Sequence, residues 1–401
     1  MLTNRRILYV QPSELFGGAE RQIASVLPRL QERGVAVTAL VGPGRTIVDW
    51  LEGAGAEDIV YSQRFPRDDS DASGLQSVGR MNEFVTRTSA IEREVDKLID
   101  DRRIDAVVAS MAFSWVSATP AARRHRVPVI WRAGGMELSL LERLALPLWA
   151  RRHPPDALVT NGEGVRDMFA PLIPAPAFLV RNGVDTTLFR PGAGAGALLP
   201  VGPGATVGFA ARLVPQKRPE DFLQMAARIA ARHPDVRFLV AGDGSRRPHY
   251  ERLAAELGLG DRMRFLGMVQ DMRAFYSSCS LLVLPSRSEG SPNVVLEAMA
   301  MKLPVVVSDT PATREIVTHM RDGFLFPVGD VDKLTEMVEL ALSAPDLRAT
   351  LVARAFRKAQ GPLSAETSGA TLAGIIETLL DRPRSREADR PLARANRVQA
   401  A

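Results

Sequence analysis

The second half of the chain contains the stretch LLVLPSRSEGSPNVVLE, residues 281–297. Its apolar beginning predicts a buried strand, and a turn of small residues then leads into a helix. We expect Ser291 to be the N-cap and Pro292 the first helical residue, because each is favoured at that position. The free amides of Gly290, Ser291 and Asn293, with the helix dipole, would then form an anion-binding site at the carboxyl end of a parallel sheet.

Short apolar runs alternate with amphipathic segments on both sides of this stretch, a pattern typical of parallel α/β architecture. Strands are predicted in the second half at residues 206–211, 236–241, 264–267, 281–285, 304–308 and 324–327. Strands are predicted in the first half at residues 7–11, 35–41, 104–110, 127–131, 157–160 and 178–180. The sequence therefore predicts two α/β units of similar length.

A run rich in glycine, alanine and proline separates the two predicted units. It holds little that could pack, so we expect a linker at residues 189–204 between a first domain at 1–188 and a second at 205–365. A final helical segment at 366–381 is expected to pack back on the first domain. The arginine-rich residues 382–401 have almost no large apolar side chains, which predicts disorder.

The net charge of +5 is compatible with three kinds of partner: nucleic acid, an anionic membrane surface or a phosphorylated small molecule. Aromatic residues make up only 6% of the chain and are scattered, which argues against nucleic acid. No apolar run approaches the roughly 20 residues that span a bilayer, and the N-terminus has no signal-peptide pattern. The single cysteine, Cys279, fits a reducing compartment, so we expect a cytoplasmic protein.

Two carboxylates flank the predicted anion site. Glu289 precedes the turn, and Glu297 lies in the second turn of the predicted helix. Because carboxylates would repel phosphates, they are better suited to accept hydrogen bonds from sugar hydroxyls. The alternative is a solvated turn residue and a surface helix residue. Either residue alone favours that alternative, whereas their combination with the helix start favours a ligand site.

Two cations follow the strand predicted at 206–211. Arg212 and Lys217 lie in a loop that leads to a helix beginning near Pro219. In a dissociative transfer of a sugar from a diphosphate, negative charge develops on the leaving phosphate, and fixed cations stabilise that charge. The alternative for these two residues is a solvated basic loop.

Glycines follow several predicted strands and would allow a ligand to approach the backbone. Gly242 and Gly244 follow the strand at 236–241, and Gly17 and Gly18 follow the first strand. Gly17 and Gly18 are adjacent, and no third glycine completes the dinucleotide-binding spacing, so NAD and FAD are poorly supported.

Together these residues resemble glycosyltransferase family four, the retaining group 1 glycosyl transferases. The motifs of that family are a glutamate pair with seven residues between, two diphosphate-binding cations, a glycine-rich first loop and an inter-domain Asn-Gly-Val-Asp run. In this chain they match, in that order, Glu289 and Glu297, Arg212 and Lys217, residues 17–20, and residues 182–185.

The resemblance implies the GT-B fold, an α/β architecture in which two Rossmann-like domains face each other across a cleft. It also implies a hexosyltransferase-like enzyme that moves a sugar, with retention, from a UDP- or GDP-sugar to a hydroxyl of a glycan or lipid-linked acceptor. Cell-surface polysaccharide or glycolipid synthesis would be its setting.

The resemblance assigns roles to individual residues. It makes Glu289, Arg212 and Lys217 catalytic, with Glu289 near the donor-sugar hydroxyls. It places Glu297 on the ribose and the backbone of Val269 against the base. The full set of expected donor-binding residues is Gly17, Gly18, Gly242, Gly244, Val269, Gly290, Ser291, Pro292, Asn293, Val294 and Glu297.

Two positions depart from the family pattern. The place where many relatives carry a histidine reads Trp131-Arg132-Ala133-Gly134-Gly135, so no histidine role is inferred for this chain. Arg218 follows Lys217 where a glycine is usual, and would add a cation near the diphosphate. No aspartate cluster suggests a divalent metal, and we expect neither a metal nor another cofactor.

The segment at residues 138–152 combines leucines and Trp149 with Arg143, Arg151 and Arg152. It fits a helix on an anionic membrane, and it fits a core helix with flanking cations, which we prefer.

Rival functions are a nucleotide-sugar epimerase of GT-B shape and a non-catalytic nucleotide-sugar-binding protein. An epimerase would need acid and base residues that the sequence does not show, and a pure binding protein would have no need of Glu289. A glycosyl phosphorylase would need a pyridoxal-binding lysine context, which the sequence also lacks.

Overall fold

The computed structural model describes residues 4–12, 26–42, 51–52, 58–65, 78–134, 140–193 and 204–381. The chain divides into two compact units. The first comprises Met1–Arg181 and Ser368–Ala401, and the second comprises Asn182–Thr367. Each unit is built on one parallel β-sheet, as the alternating sequence pattern predicts.

The first unit contains a sheet of seven parallel strands. Its strands are β1 (Arg5–Gln11), β2 (Val35–Val41), β3 (Asp58–Tyr61), β4 (Ala106–Ser110), β5 (Val129–Ala133), β6 (Ala157–Thr160) and β7 (Ala177–Leu179). Besides the described helical residues 26–31 and 51–52, its helices before the second unit are α1 (Val78–Arg102), α2 (Met111–Arg124), α3 (Leu140–Arg152) and α4 (Glu163–Phe169). The strand order is β3-β2-β1-β4-β5-β6-β7, so the order reverses direction between β1 and β4.

Six of these strands lie within two residues of their predicted bounds, but β3 was not predicted. Its four residues carry a short apolar signal, Ile59 and Val60, and they are only partly buried at the edge of the sheet. Pairing with β2 makes this segment a strand, and an isolated sequence window does not show that partner.

Indole stacking organises one face of this sheet. Trp131 of β5 is fully buried and stacks on Trp115 of α2, with ring centroids 5.1 Å apart, and on Trp149 of α3 at 5.4 Å. Because side chains alternate along a strand, the next residue, Arg132, projects from the opposite face.

The second unit contains a sheet of six parallel strands. These are β8 (Thr206–Ala210), β9 (Arg237–Ala241), β10 (Met263–Gly267), β11 (Leu281–Leu284), β12 (Val305–Ser308) and β13 (Phe324–Phe326). The strand order is β10-β9-β8-β11-β12-β13, which reverses direction between β8 and β11. All six strands match the sequence prediction to within one residue.

Helices alternate with these strands along the chain. They are α5 (Pro219–Arg232), α6 (Arg247–Glu256), α7 (Met272–Ser277), α8 (Asn293–Ala300), α9 (Pro311–Ile316), α10 (Val331–Ser343) and α11 (Pro345–Gln360), followed by α12 (Ala365–Leu380). From Ser368 onward α12 belongs to the first unit. There Leu372, Ile376 and Leu379 join the core that covers one face of its sheet.

The chain enters the second unit at Asn182, earlier than the predicted domain end at 188. The backbone N–H of Val184 donates to the carbonyl of Leu363 at 2.9 Å, and Phe189 is buried in a core of the second unit. These contacts hold the start of the predicted linker in the second unit. Residues 194–203 and 382–401 lie outside the described residues.

No helix among the described residues is both long enough and apolar enough to cross a bilayer.

Candidate active site

The reversal of strand order in the second unit places two loops side by side. In open parallel sheets such a reversal leaves a crevice at the carboxyl ends of the strands, where ligands bind. The loop after β8 carries Arg212 and Lys217, and the loop after β11 carries Glu289.

Backbone contacts to the neighbouring loop hold the β8 loop in place. The N–H of Ala211 donates to Ala241 at 3.0 Å, and the N–H of Leu213 donates to Asp243 at 2.9 Å. A Cβ on Gly242 would lie 1.9 Å from the Ala211 carbonyl oxygen, and one on Gly244 would lie 2.7 Å from that of Leu213. Close packing of the two loops therefore explains both glycines without a ligand, and their donor-binding role stays a prediction.

Arg212 lies between these two anchored residues and is exposed. Its guanidinium makes no hydrogen bond or ion pair within the described structure. The backbone is fixed while the charge is uncompensated, which suits a group that binds an anionic ligand.

Lys217 and Glu289 form the closest contact between the two loops. Lys217 Nζ lies 2.7 Å from each carboxylate oxygen of Glu289. The side chains are 16% and 9% exposed, respectively, so the pair is largely removed from water. The structure thus brings together two of the three predicted catalytic residues.

Gln216 fastens the same two loops together. Its Nε2 donates to Ser288 Oγ at 3.1 Å, and its carbonyl accepts the N–H of Arg287 at 2.8 Å. Sequence reasoning missed Gln216, because its partners lie about 70 residues further along the chain.

Arg218 adopts a left-handed backbone conformation, with φ of 49°. A glycine enters this region without strain, which accounts for the usual glycine at this position. The guanidinium bonds to the buried carboxylate of Asp221 at 2.5 and 2.9 Å, and this contact raises the pKa of Arg218. Asp221 therefore compensates the charge of Arg218, and the position of Arg218 near a diphosphate stays a prediction.

The helix after the β11 loop begins one residue later than predicted. Pro292 is the N-cap, with ψ of 98°, and Asn293 is the first helical residue. Ser291 is therefore not the N-cap, and its carbonyl instead accepts a hydrogen bond from Asn182 Nδ2 at 3.2 Å. No side chain caps α8, and the positive end of the helix dipole favours an anion at this helix start.

Asn182 fixes this turn. Besides the Ser291 carbonyl, its Nδ2 contacts Asn293 Oδ1 at 2.7 Å, and the side chain is buried. A carbonyl oxygen can only accept, so the amide nitrogen of Asn182 must face it. The sequence marked Asn182 only as part of a family motif, and the structure shows that it holds the turn before α8.

Glu297 is 4% exposed, which excludes a surface helix position. Its Oε2 accepts a hydrogen bond from the buried hydroxyl of Tyr276 on α7 at 2.6 Å. Sequence reasoning missed Tyr276, whose aromatic character by itself indicates only a core residue. The role of Glu297 on the ribose stays a prediction.

The remaining predicted residues are less informative. Val269 follows β10 and is half-buried against a core of the second unit. Gly290 lies in the loop before α8, and Val294 is the second residue of that helix. Gly17 and Gly18 lie outside the described residues. Within the part of the chain that is described, no three His, Cys, Asp or Glu side chains are grouped to hold a metal ion.

The order of strands defines the class. In both units the strands follow the Rossmann arrangement, which makes the protein an α/β protein with two Rossmann-like domains, the GT-B fold. HepE from Anabaena, solved in complex with UDP-glucose, superposes with a TM-score of 0.75. That match has 19% identity and covers 93% of this chain and 99% of HepE, which shows the fold.

Family models then identify the family. Residues 16–188 match the model described as glycosyltransferase family 4, and residues 204–344 match the model described as glycosyl transferases group 1. Together the two matches cover most of the chain, and the chain belongs to this family of glycosyltransferases.

Curated relatives are similar over part of their length. The alpha-D-kanosaminyltransferase of Streptomyces kanamyceticus is 31% identical over 43% of this chain and 45% of that protein. The lipopolysaccharide core biosynthesis mannosyltransferase LpcC of Rhizobium leguminosarum bv. viciae is 28% identical over 66% of this chain and 82% of that protein. The chain spans less than half the length of the first curated relatives it matches.

Proposed function

We propose that this protein is a retaining glycosyltransferase that moves a sugar from a nucleotide-sugar donor to a hydroxyl of a glycan or lipid-linked acceptor. The observation that carries the proposal is the Lys217–Glu289 pair at the strand-order reversal, beside the uncapped start of α8 and the free guanidinium of Arg212. Cations and amides suit a diphosphate, and a carboxylate suits sugar hydroxyls. The site combines the chemistry needed for both halves of a nucleotide sugar.

The relatives support a nucleotide-sugar donor and a cell-surface product. HepE has been solved with UDP-glucose, and LpcC is named for lipopolysaccharide core biosynthesis. We extend both features to this chain as part of the proposal, with a UDP- or GDP-sugar as the donor.

The proposed reaction proceeds on one face of the sugar. The bond from the anomeric carbon to the diphosphate oxygen breaks as the acceptor oxygen bonds to the same carbon on the same face. The acceptor proton passes to the leaving phosphate oxygen, so the step needs no carboxylate nucleophile. Arg212, Lys217 and the first amides of α8 stabilise the charge that develops on the diphosphate. Lys217 gives up part of its contact with Glu289 when the donor enters.

The test measures nucleotide release and sugar transfer with a panel of UDP- and GDP-sugars. Lys217→Ala and Glu289→Ala are expected to lower kcat by about 100-fold or more, the usual cost of losing one group that stabilises the transition state. Lys333→Ala and Glu336→Ala are matched controls, because they break an exposed ion pair on α10.

The other possible results of this assay point away from the proposed site or the proposed function. Near wild-type transfer in both site variants contradicts the site assignment. A changed sugar that is still attached to its nucleotide indicates an epimerase. Tight nucleotide-sugar binding without turnover indicates a binding protein.

We also propose that the reaction needs no divalent metal. Dialysis against EDTA is expected to leave the transfer rate unchanged, because Arg212, Lys217 and the α8 amides supply the positive charge that a metal otherwise provides. Loss of activity on chelation, with recovery on adding Mg²⁺ or Mn²⁺, would contradict this.

Helix α3 suggests where the enzyme works. Leu144 and Leu148, one turn apart, are 62% and 68% exposed, while Trp149 packs into the core. Arg143, Arg151 and Arg152 are exposed along the same helix. The expectation that this segment forms a core helix is therefore correct for only one side of α3. We propose that the exposed side lies on an anionic bilayer, with leucines in the interface and arginines on the headgroups.

A further inference from the structure

The first unit has its own strand-order reversal, between β1 and β4. The carboxyl ends of β1, β4 and β5 are neighbours there. Arg132 of β5 lies beside Ser110 of β4 in the register of the sheet. This is the crevice position of a Rossmann-like unit, and none of the donor-binding residues of the second unit belongs to it.

Three side chains form a connected group at this edge. Arg132 Nη1 donates to the hydroxyl oxygen of Tyr9 at 3.2 Å, and Ser110 Oγ donates to the same oxygen at 2.9 Å. Tyr9 and Ser110 are buried, and Arg132 is half-buried. A phenol that accepts two hydrogen bonds still has its own hydrogen to donate. The Arg132 guanidinium and the Tyr9 hydroxyl are therefore two hydrogen-bond donors that lie side by side.

The charge of Arg132 has no counter-ion among the described residues. No described carboxylate forms an ion pair with it, and Tyr9 is its only described hydrogen-bond partner. Other arginines of this unit do pair: Arg5 with Asp105, Arg102 with Asp58, and Arg124 with Glu92. Removing a charge from water without a partner is unfavourable, so a half-buried unpaired arginine fits a site that an anion completes.

Gly134 directly follows β5, two residues after Arg132. A Cβ on Gly134 would meet only the Asn161 side chain, at 3.9 Å, so no described neighbour requires a glycine there. Asn161, which follows β6, is half-buried, and its Oδ1 has no described partner. Because β6 pairs with β5, Asn161 adds an amide that suits sugar hydroxyls at the same edge of the sheet as Arg132.

We infer that Arg132, with the Tyr9 hydroxyl, binds the carboxylate or phosphate of a negatively charged sugar acceptor. The inference rests on the proposed function, in which the second unit holds the donor, and it assigns the acceptor to the first unit. A guanidinium offers two parallel N–H donors to either oxyanion, so uronates and sugar phosphates share the chemistry.

The experiment titrates the full chain with glucuronate, glucose 6-phosphate and neutral glucose while the donor site is saturated with UDP. The readout is the ratio of affinity for each charged sugar to that for glucose. Wild type is expected to bind at least one charged sugar more tightly than glucose. The titrations with glucuronate and glucose 6-phosphate show whether the site prefers a carboxylate or a phosphate. Arg132→Gln is expected to lower that preference by about tenfold or more, the effect of losing a hydrogen bond to a charged group.

Matched variants separate binding from folding. Arg132→Lys keeps the charge and is expected to retain part of the preference, and Tyr9→Phe is expected to lower it. Arg93→Gln removes an exposed arginine from α1 and should change nothing. Repeating the titration in Lys217→Ala excludes anion binding at the donor site. Melting temperatures measured for every variant identify any loss of folding.

Two results overturn the inference: wild type that shows no preference for either charged sugar, or Arg132→Gln that keeps the wild-type preference while folded. The proposed function is tested separately by UDP affinity, which Arg132→Gln should leave unchanged. If neither UDP nor GDP binds, the proposed function fails, whereas the ratio between charged and neutral sugars still reports on Arg132.

Discussion

Lys217 and Glu289 compensate each other's charge. Both carboxylate oxygens of Glu289 receive the same ammonium at 2.7 Å, in surroundings with little water. Each group therefore holds the other close to the position in which it is proposed to act. Removing either partner would leave a largely buried charge uncompensated, so substitution of one also disturbs the other.

Tyr276 gives a prediction at the same scale. Tyr276→Phe removes the hydrogen bond to Glu297, which leaves a buried carboxylate with one donor fewer. Hydrogen bonds to charged groups contribute about 1.5–3 kcal/mol, so we expect KM for the donor to rise about tenfold or more. We expect kcat to change little, because Glu297 is predicted to bind the ribose in ground state and transition state alike.

Steady-state kinetics with varied donor check this. Tyr250→Phe is the control, since Tyr250 is a buried tyrosine of α6 in the same unit. An unchanged KM in Tyr276→Phe, or an equal rise in both variants, contradicts the assigned role.

Residue identity predicts chemistry better than it predicts partners. Glu289, Lys217 and Arg212 could be selected from the sequence because each lies in a loop that joins a predicted strand to a predicted helix. The pairing of Arg218 with Asp221 and its positive φ could not be predicted, because both appear only in three dimensions. Asn182 lies about 110 residues from the turn that it fixes, and no local pattern reports such a contact.

The turn between β11 and α8 shows how far elements are predictable. The apolar run and the Ser-Pro-Asn sequence located the strand and helix, because buried strands and helix starts have strong local preferences. The first helical residue was wrong by one, because the Asn182 contact draws the Ser291 carbonyl out of the helix. Strand β3 was missed because its pairing with β2, more than its own residues, makes it a strand.

Helix α3 carries a prediction at the scale of the element. We expect the protein to float with vesicles that contain phosphatidylglycerol and not with pure phosphatidylcholine, and binding should weaken as salt rises. Leu148→Glu should abolish flotation, because it places a charge in the interface and repels anionic headgroups. Flotation assays at low and high salt measure this.

The control for α3 is Tyr61→Glu, which alters an exposed apolar side chain of β3. If wild type fails to float with anionic vesicles, or if both variants float equally, α3 does not mediate membrane binding.

At the scale of the whole molecule, α12 completes the first unit. Burial of Leu372, Ile375, Ile376 and Leu379 contributes about 6–12 kcal/mol at roughly 1.5–3 kcal/mol per side chain, an upper estimate. That is comparable to the whole stability of a typical domain, about 5–15 kcal/mol. We expect deletion from Ser368 onward to unfold the first unit while the second keeps its cooperative transition.

Calorimetry of the deletion variant measures this, with a shorter deletion from residue 382 as the control. If the longer deletion variant shows two unfolding transitions at the same temperatures as the full chain, the first unit folds without α12.

The discontinuity of the first unit also sets an order of events during synthesis. The ribosome makes all seven strands of that unit, and then the whole of Asn182–Thr367, before it makes the residues of α12 that fill the first core. The second unit is continuous in sequence and can fold as soon as it is complete. The nascent first unit meanwhile exposes the apolar face that α12 later covers, so chaperone binding to the growing chain should concentrate on that face.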